Sequence, residues 1–332
     1  MNDLLLIQYR DDNGRSRAAR VIDDGRAVET IGEGTVYDLA QQAAQAHRPL
    51  QNIVEAQARG DRLDYAALAE VGRLLSPIGH TDPAHCLVSG TGLTHLASAA
   101  GRDKMHAAAM AGKETDSMRM YDIGVKGGRP GASQIGAAPE WFFKGDGSAL
   151  VPPGGDLLLP AFAEDGGEES EIAGLYLIGA DGSPMRIGFA LGNEFSDHRL
   201  ESRNYLYLAH SKLRSCAIGP EILVGDLPKD VRGRAAILRG QQTLWSEDFR
   251  TGEANMCHSL ANLEHHHFKY AQFRRPGDVH IHFFGAASVS CAHGVTAEDG
   301  DVFEISAAPF VRPLRNRLRK TPDEGFIAAT AL

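Results

Sequence analysis

The sequence predicts a mainly β chain of the α+β class in two unequal parts, a small N-terminal α/β domain at residues 1–75 and a larger β-rich domain at residues 76–332. Two observations carry this. From Pro77 onward glycine is frequent and short apolar runs follow one another, separated by turn residues: CLVSGTG, WFFKGDG, LLLPAF, IAGLYLIG, RIGFALG, AAILRG, VHIHFFG and VFEIS. Before Pro77 the texture differs, with alternating strand-like and helix-like stretches.

Taken in order, LLLIQYR at 4–10, the DDNG turn and RAARVID read as a β-hairpin. Residues 37–75 carry two helical stretches, YDLAQQAAQAH and DYAALAEVGRLL, between polar breaks. The glycine-rich KGGRPGASQIG at 126–136 resists regular structure and reads as a loop or lid over a site. There is no internal repeat and no low-complexity segment.

Composition excludes several functions. With 43% hydrophobic and 23% charged residues the chain is an ordinary globular protein, and at 332 residues it is long enough for a large core. A net charge of −9 argues against nucleic acid as a partner. No apolar run approaches the roughly 20 residues of a membrane helix, so no membrane partner is expected. The N-terminus, MNDLLLIQYRDD, lacks the basic start of a signal peptide. Cys86, Cys216, Cys257 and Cys291 have no paired spacing, so the expected setting is a reduced cytoplasm.

Two clusters invite a metal reading. Residues 264–268 read EHHHF, but His265, His266 and His267 cannot converge on one ion. A helix fans neighbours apart by about 100°, and a strand turns the middle one away. Glu169 and Glu171 differ, because they lead into IAGLYLI, a strand apolar on both faces. Side chains at i and i+2 share a face, and two carboxylates there repel unless a cation lies between them. After a DGSP turn and a second strand comes Glu194, following Gly-Asn. An antiparallel hairpin returns Glu194 to the level of the first two acids. Three carboxylates favour Mg²⁺, with Mn²⁺ or Ca²⁺ as substitutes, over zinc.

The pattern Glu-x-Glu, strand, GNEFS, lysine and apolar-Gly-Pro resembles the fumarylacetoacetate hydrolase superfamily. CLVSGTGLTH at 86–95, PEWFFKGDGSALVPPGGDLLLP at 139–160, RRPGDVHIHFFGAAS at 274–288 and GDVFEIS at 300–306 resemble further segments of that family in the same order. The fold implied is a twisted β-roll catalytic domain preceded by a variable N-terminal domain. SCAIGP, GNEFSDH and the overall length are similar to the sugar-acid branch, the 2-keto-3-deoxy-pentonate dehydratases of non-phosphorylating pentose degradation.

The resemblance implies metal ligation by Glu169, Glu171 and Glu194 and a catalytic role for Lys212. It implies substrate contacts from Glu201, Tyr205, Gly285 and Ala286. The family's hydrolases keep a histidine base where Ser98 stands here, with His95 and His106 nearby but out of register, and Ser98 is left to position a water. Glu194 stands where the superfamily usually has Asp, and Ala286 where a Thr is frequent. In such enzymes the metal stabilises an enolate of a 2-keto acid, and the acid–base residues choose between elimination and C–C cleavage. The expectation is a Mg²⁺-dependent dehydratase of a 2-keto-3-deoxy sugar acid. The alternatives are a hydrolase of a 2,4-diketo-3-deoxy acid or a sugar-acid binding protein without catalysis. A homodimer or larger homo-oligomer is implied. The resemblance places ANLEHHHFKYAQF on a helix, where a period near 3.6 puts Leu263, His267 and Tyr270 on one face; His280 and His282, at i and i+2 on a strand, read as a pair that hydrogen-bonds locally.

Overall fold

The computed structural model describes residues 3–96 and 115–332. The predicted hairpin forms from strands Leu4–Arg10 and Ser16–Ile22, with Leu6 opposite Arg20. Asp11 closes its turn by accepting from the backbone of Asn13 and Arg15, both at 2.9 Å. Strands Ala27–Ile31 and Arg59–Asp64 extend the hairpin outward.

Helix Val36–Ala46 starts at a capping box in which Thr35 and Asp38 satisfy each other's backbone, and ends at a left-handed His47. Its apolar face, Val36, Leu39, Ala40 and Ala43, packs on the sheet face carrying Ala173, Leu175, Val279 and Ile281. The second predicted helix is shorter than its apolar pattern. It runs only from Tyr65 to Glu70, because Gly72 at φ +68° turns the chain and Leu74–Leu75 pairs with the first strand.

The first strand also pairs with Ile222–Val224, placing Leu6 beside Ile222. The N-terminal strands therefore continue into the sheet of the larger part. From Ile222–Val224 that sheet runs through Pro184–Asn193, Ser170–Ile178, Val279–Phe283 and Cys86–Gly90 to Phe142–Asp146. A second sheet of five strands orders Gln242–Thr251, Val231–Arg239, Val302–Ala307, Leu314–Lys320 and Asp156–Leu159. The main core lies between the two, with Ile172, Phe189, Leu191 and Phe195 facing Ile237, Phe303, Ile305 and Leu318. Strand Leu314–Lys320, LRNRLRK, escapes a search for apolar runs. Only Leu314, Asn316 and Leu318 point inward, and the arginines between them face solvent.

Glu221 ties the N-terminal part to the rest. Fully buried, it accepts from Tyr65 Oη at 2.9 Å and from the backbone of Val311 at 2.7 Å and Arg312 at 3.1 Å. Glu221→Ala orphans the buried Tyr65 hydroxyl and two partly buried backbone donors, so we expect a loss of about 2–3 kcal/mol in denaturant unfolding. A loss below about 1 kcal/mol contradicts this role.

Candidate metal centre

Ser170–Ile178 is buried along its whole length and pairs antiparallel with Pro184–Asn193, placing Ser170 opposite Asn193 and Glu171 opposite Gly192. One residue past the ladder, Glu194 N donates to Glu169 O at 3.1 Å. The hairpin thus returns Glu194 to the level of the Glu-x-Glu pair, as the sequence implies. Each of Glu169, Glu171 and Glu194 offers an oxygen within 4.8 Å of the others. Among the described residues no other group of three His, Cys, Asp or Glu side chains converges in this way.

The chemistry of these carboxylates fits a hard divalent cation. Glu171 Oε2 accepts from Gly285 N at 2.7 Å, whereas the equally buried Glu171 Oε1 has no partner. Burial, then the charges of Glu169 and Glu194, hold the Glu171 carboxyl well above the usual carboxylate range. A buried, unpartnered oxygen crowded by like charge is costly in protein alone and is what an Mg²⁺-type ligand set presents.

Two buried lysines surround the carboxylates. Lys144 Nζ pairs with Glu194 Oε1 at 2.5 Å and donates to the carbonyls of Phe195 at 2.7 Å and Lys212 at 3.0 Å, using all three hydrogens. Lys212 Nζ pairs with Glu169 Oε1, with Glu194 Oε2 at 2.5 Å and with Ser196 Oγ at 3.1 Å, over the Phe142 ring. His198 Nε2 lies 3.1 Å from Glu169 Oε1. Burial raises Glu169, but Lys212 and His198 outweigh it and hold this carboxyl well below the usual range. At Glu194 burial prevails over both lysines, and the carboxyl is raised.

Sequence reasoning missed Lys144 and His198. Lys144 sits in FFKGD, where alternation turns Phe142 and Lys144 inward and Phe143 outward. A lysine on the buried face of a strand is the signal that was there to find. His198 opens the short helix His198–Arg203, which is capped by Asp197 accepting from Leu200 N at 3.0 Å. Arg214 fixes that cap by pairing with Asp197 Oδ2 at 3.0 Å.

The remaining predicted site residues are placed as follows. Glu201 is buried and accepts from Ser211 Oγ at 3.4 Å. Tyr205 is exposed and donates to Glu140 Oε1 at 3.1 Å. Gly285 adopts φ +97° against Thr94, leaving no room for a side chain, and Ala286 beside it is buried. Ser98 and His106 lie outside the described residues. His95 is buried between Thr94 Oγ1 at 2.9 Å and Thr251 Oγ1 at 3.1 Å, and burial pushes it down to about 4. The 126–136 segment opens in helix Asp116–Gly127 and becomes irregular from Gly128. It is docked by Gly136 N donating to Asn262 Oδ1 at 3.0 Å.

The EHHHF histidines do diverge. On helix Leu260–Phe268, His265 is exposed while His266 and His267 are buried. His267 accepts from Trp141 Nε1 at 3.2 Å and lies 2.9 Å from His280 Nδ1, and His282 Nδ1 meets Ser89 Oγ at 2.8 Å. Leu263 and His267 share the buried face, but Tyr270 does not, because the helix ends at Phe268. Burial drives all three clustered histidines down, His280 to about 4 and His282 to about 3.

They are neutral in the fold and gain protons more readily when unfolded. Their contribution is full above the unfolded value near 6.5 and is lost as pH falls toward 4 and 3. His282→Gln removes one such titration. Between pH 7.5 and 5 the wild type should lose about 2 kcal/mol more than this variant in urea unfolding. Parallel losses contradict the assignment.

No family model and no curated protein matches this chain. Solved structures do, over nearly its whole length. The backbone is similar to that of 2-keto-3-deoxy-D-arabinonate dehydratase complexed with magnesium and 2,5-dioxopentanoate, with TM-score 0.71, 20% identity, and coverage of 96% of this chain and 99% of that one. It is also similar to 5-carboxymethyl-2-hydroxymuconate delta-isomerase from Mycobacterium smegmatis, with TM-score 0.58, 17% identity, and coverage of 96% and 100%. A third likeness is to 2-hydroxyhepta-2,4-diene-1,7-dioate isomerase from Mycobacterium marinum, with TM-score 0.57, 18% identity, and coverage of 97% and 100%. The chain therefore has the α+β fold of these enzymes, the fold that the resemblance to the fumarylacetoacetate hydrolase superfamily implied. Among the described residues no helix is long and apolar enough to cross a membrane.

Proposed function

We propose that this chain is a Mg²⁺-dependent dehydratase that removes water from a 2-keto-3-deoxy-pentonate to give 2,5-dioxopentanoate. The observation that carries the reading is the buried convergence of Glu169, Glu171 and Glu194, with an unpartnered Glu171 oxygen and two lysines at hand. The likeness to a dehydratase complexed with magnesium and that product supports it.

When bound by the three carboxylates, the ion supplies Lewis-acid polarisation of the substrate's 2-keto group. The protein's part is proton handling. Lys212, an ammonium held over Phe142 by Glu169 and Glu194, gives a proton to the departing C4 oxygen and regains one from C3. The C3–H pair becomes the C3–C4 double bond, the C4–O bond breaks, and that oxygen leaves as water. Loss of a C5 proton with protonation at C3 then gives the C4–C5 enol, and transfer of the enol hydroxyl proton to C4 gives the semialdehyde.

Lys144 neutralises Glu194 and is anchored on the Phe195 and Lys212 carbonyls, so it is assigned to balancing the charge. Glu201, Tyr205 and the Gly285–Ala286 loop are assigned to the substrate, and Ser98 to a water. Residues 1–75 act as an accessory domain to the catalytic 76–332 unit, which works as a homo-oligomer in the cytoplasm on a small 2-keto acid.

The test supplies both enantiomers of 2-keto-3-deoxy-pentonate, and the 4-keto analogue, with Mg²⁺ or with chelator, and identifies products by NMR. We expect Mg²⁺-dependent 2,5-dioxopentanoate from one enantiomer. Pyruvate from the 4-keto compound at a higher rate makes the chain a C–C hydrolase. No turnover of any of them removes catalysis from the account.

A further inference from the structure

A cavity of about 150 Å³ opens beside the carboxylates, lined by Asp165, His198, Arg199, Ser202, Cys291 and Thr296. His198, only 5% exposed, lines it; its Nε2 holds Glu169, and its buried Nδ1 makes no well-formed hydrogen bond although the ring interacts with Cys291. Cys291 lines the same cavity and is only half-buried. The other three cysteines are buried, and burial pushes their thiols up to about 12 at Cys86 and Cys216 and about 11 at Cys257. Thiol chemistry requires access and thiolate character, and both are denied to those three.

The placement of Cys291 is built into the fold. Glu168 accepts from Ser290 N at 2.7 Å and from Ser290 Oγ at 2.6 Å, pinning the turn that carries Cys291 to the residue before Glu169. Gly167 packs so close to the His198 ring that a Cβ there would clash with Nδ1, so only glycine leaves the ring its place.

From this arrangement we infer that Cys291 is a selective thiol-modification site, open to peroxides and small electrophiles, that communicates through His198 with the carboxylate cluster. In the oxidative step the peroxide O–O bond breaks. Sulfur takes one oxygen to become S–OH, and the other leaves as water; the thiol is oxidised and the peroxide reduced. The cavity has room for that one oxygen, and the new S–OH replaces the weak thiol partner of His198 with a stronger hydrogen-bonding group. A bulky adduct instead crowds His198 and shifts Glu169. This coupling rests on the metal reading above; the modification site itself does not.

The experiment treats the full chain with N-ethylmaleimide, locates adducts by peptide mass spectrometry, and titrates Mn²⁺ before and after. A parallel sample receives hydrogen peroxide and a sulfenic-acid trap. We expect Cys291 to react at least about tenfold faster than the other cysteines, and to be the trapped site. Its maleimide adduct should weaken Mn²⁺ binding about tenfold. Cys291→Ser should bind Mn²⁺ as the parent does and be insensitive to the reagent. Faster labelling elsewhere overturns the modification site. Unchanged Mn²⁺ affinity of the adduct, or the same weakening in treated Cys291→Ser, overturns the communication. Failure of the untreated chain to bind Mn²⁺ overturns the metal reading and the coupling, while the labelling result still decides the modification site.

Discussion

Glu171→Gln is expected to weaken Mg²⁺ and Mn²⁺ binding by at least about 10²-fold and to abolish metal-dependent turnover, while leaving the fold intact. Glu171 is the carboxylate whose geometry most needs a cation. One oxygen takes the Gly285 amide hydrogen, and the other faces its neighbours with no donor. Glutamine keeps the shape and removes the charge. It also relieves like-charge crowding by Glu169 and Glu194, so the variant in chelator should be no less stable than the parent. Calorimetric titration and thermal unfolding report the two effects separately. Undiminished metal affinity means that Glu171 is not a ligand.

Lys144→Met should destabilise the chain by about 3–5 kcal/mol, the cost of stranding a buried charge. The lysine satisfies Glu194 and two carbonyls, and both charged groups are fully buried. Removing the carboxylate charge as well should recover part of the loss, so Lys144→Met with Glu194→Gln is expected to be more stable than Lys144→Met alone. Denaturant unfolding of the two single variants and the double variant gives the coupling. If the double variant is the less stable, the pair does not act as a charge unit.

Much of the cluster was legible because it obeys short-range rules. The spacing of Glu169 and Glu171 fixes a shared face, and one turn between two strands fixes the return to Glu194. The histidine run was excludable by the same geometry. What was not legible depends on pairings distant in sequence. Lys144 meets Glu194 across 50 residues, and Glu168 meets Ser290 across 122. No local pattern encodes either contact. Strand Leu314–Lys320 was hidden because its exposed face is arginine, and helix Tyr65–Glu70 was overestimated because pairing with the first strand outweighs helical periodicity. His280 and His282 were read as local hydrogen-bonders, and they are, though their third member, His267, comes from a helix.

The central claim is that Glu169, Glu171 and Glu194 hold one divalent ion. Anomalous diffraction at the manganese edge from crystals soaked in Mn²⁺ tests it directly. The account predicts one peak bonded to an oxygen of each carboxylate at roughly 2.0–2.6 Å. A peak at His265–His267 or among His267, His280 and His282, with none at the carboxylates, contradicts it.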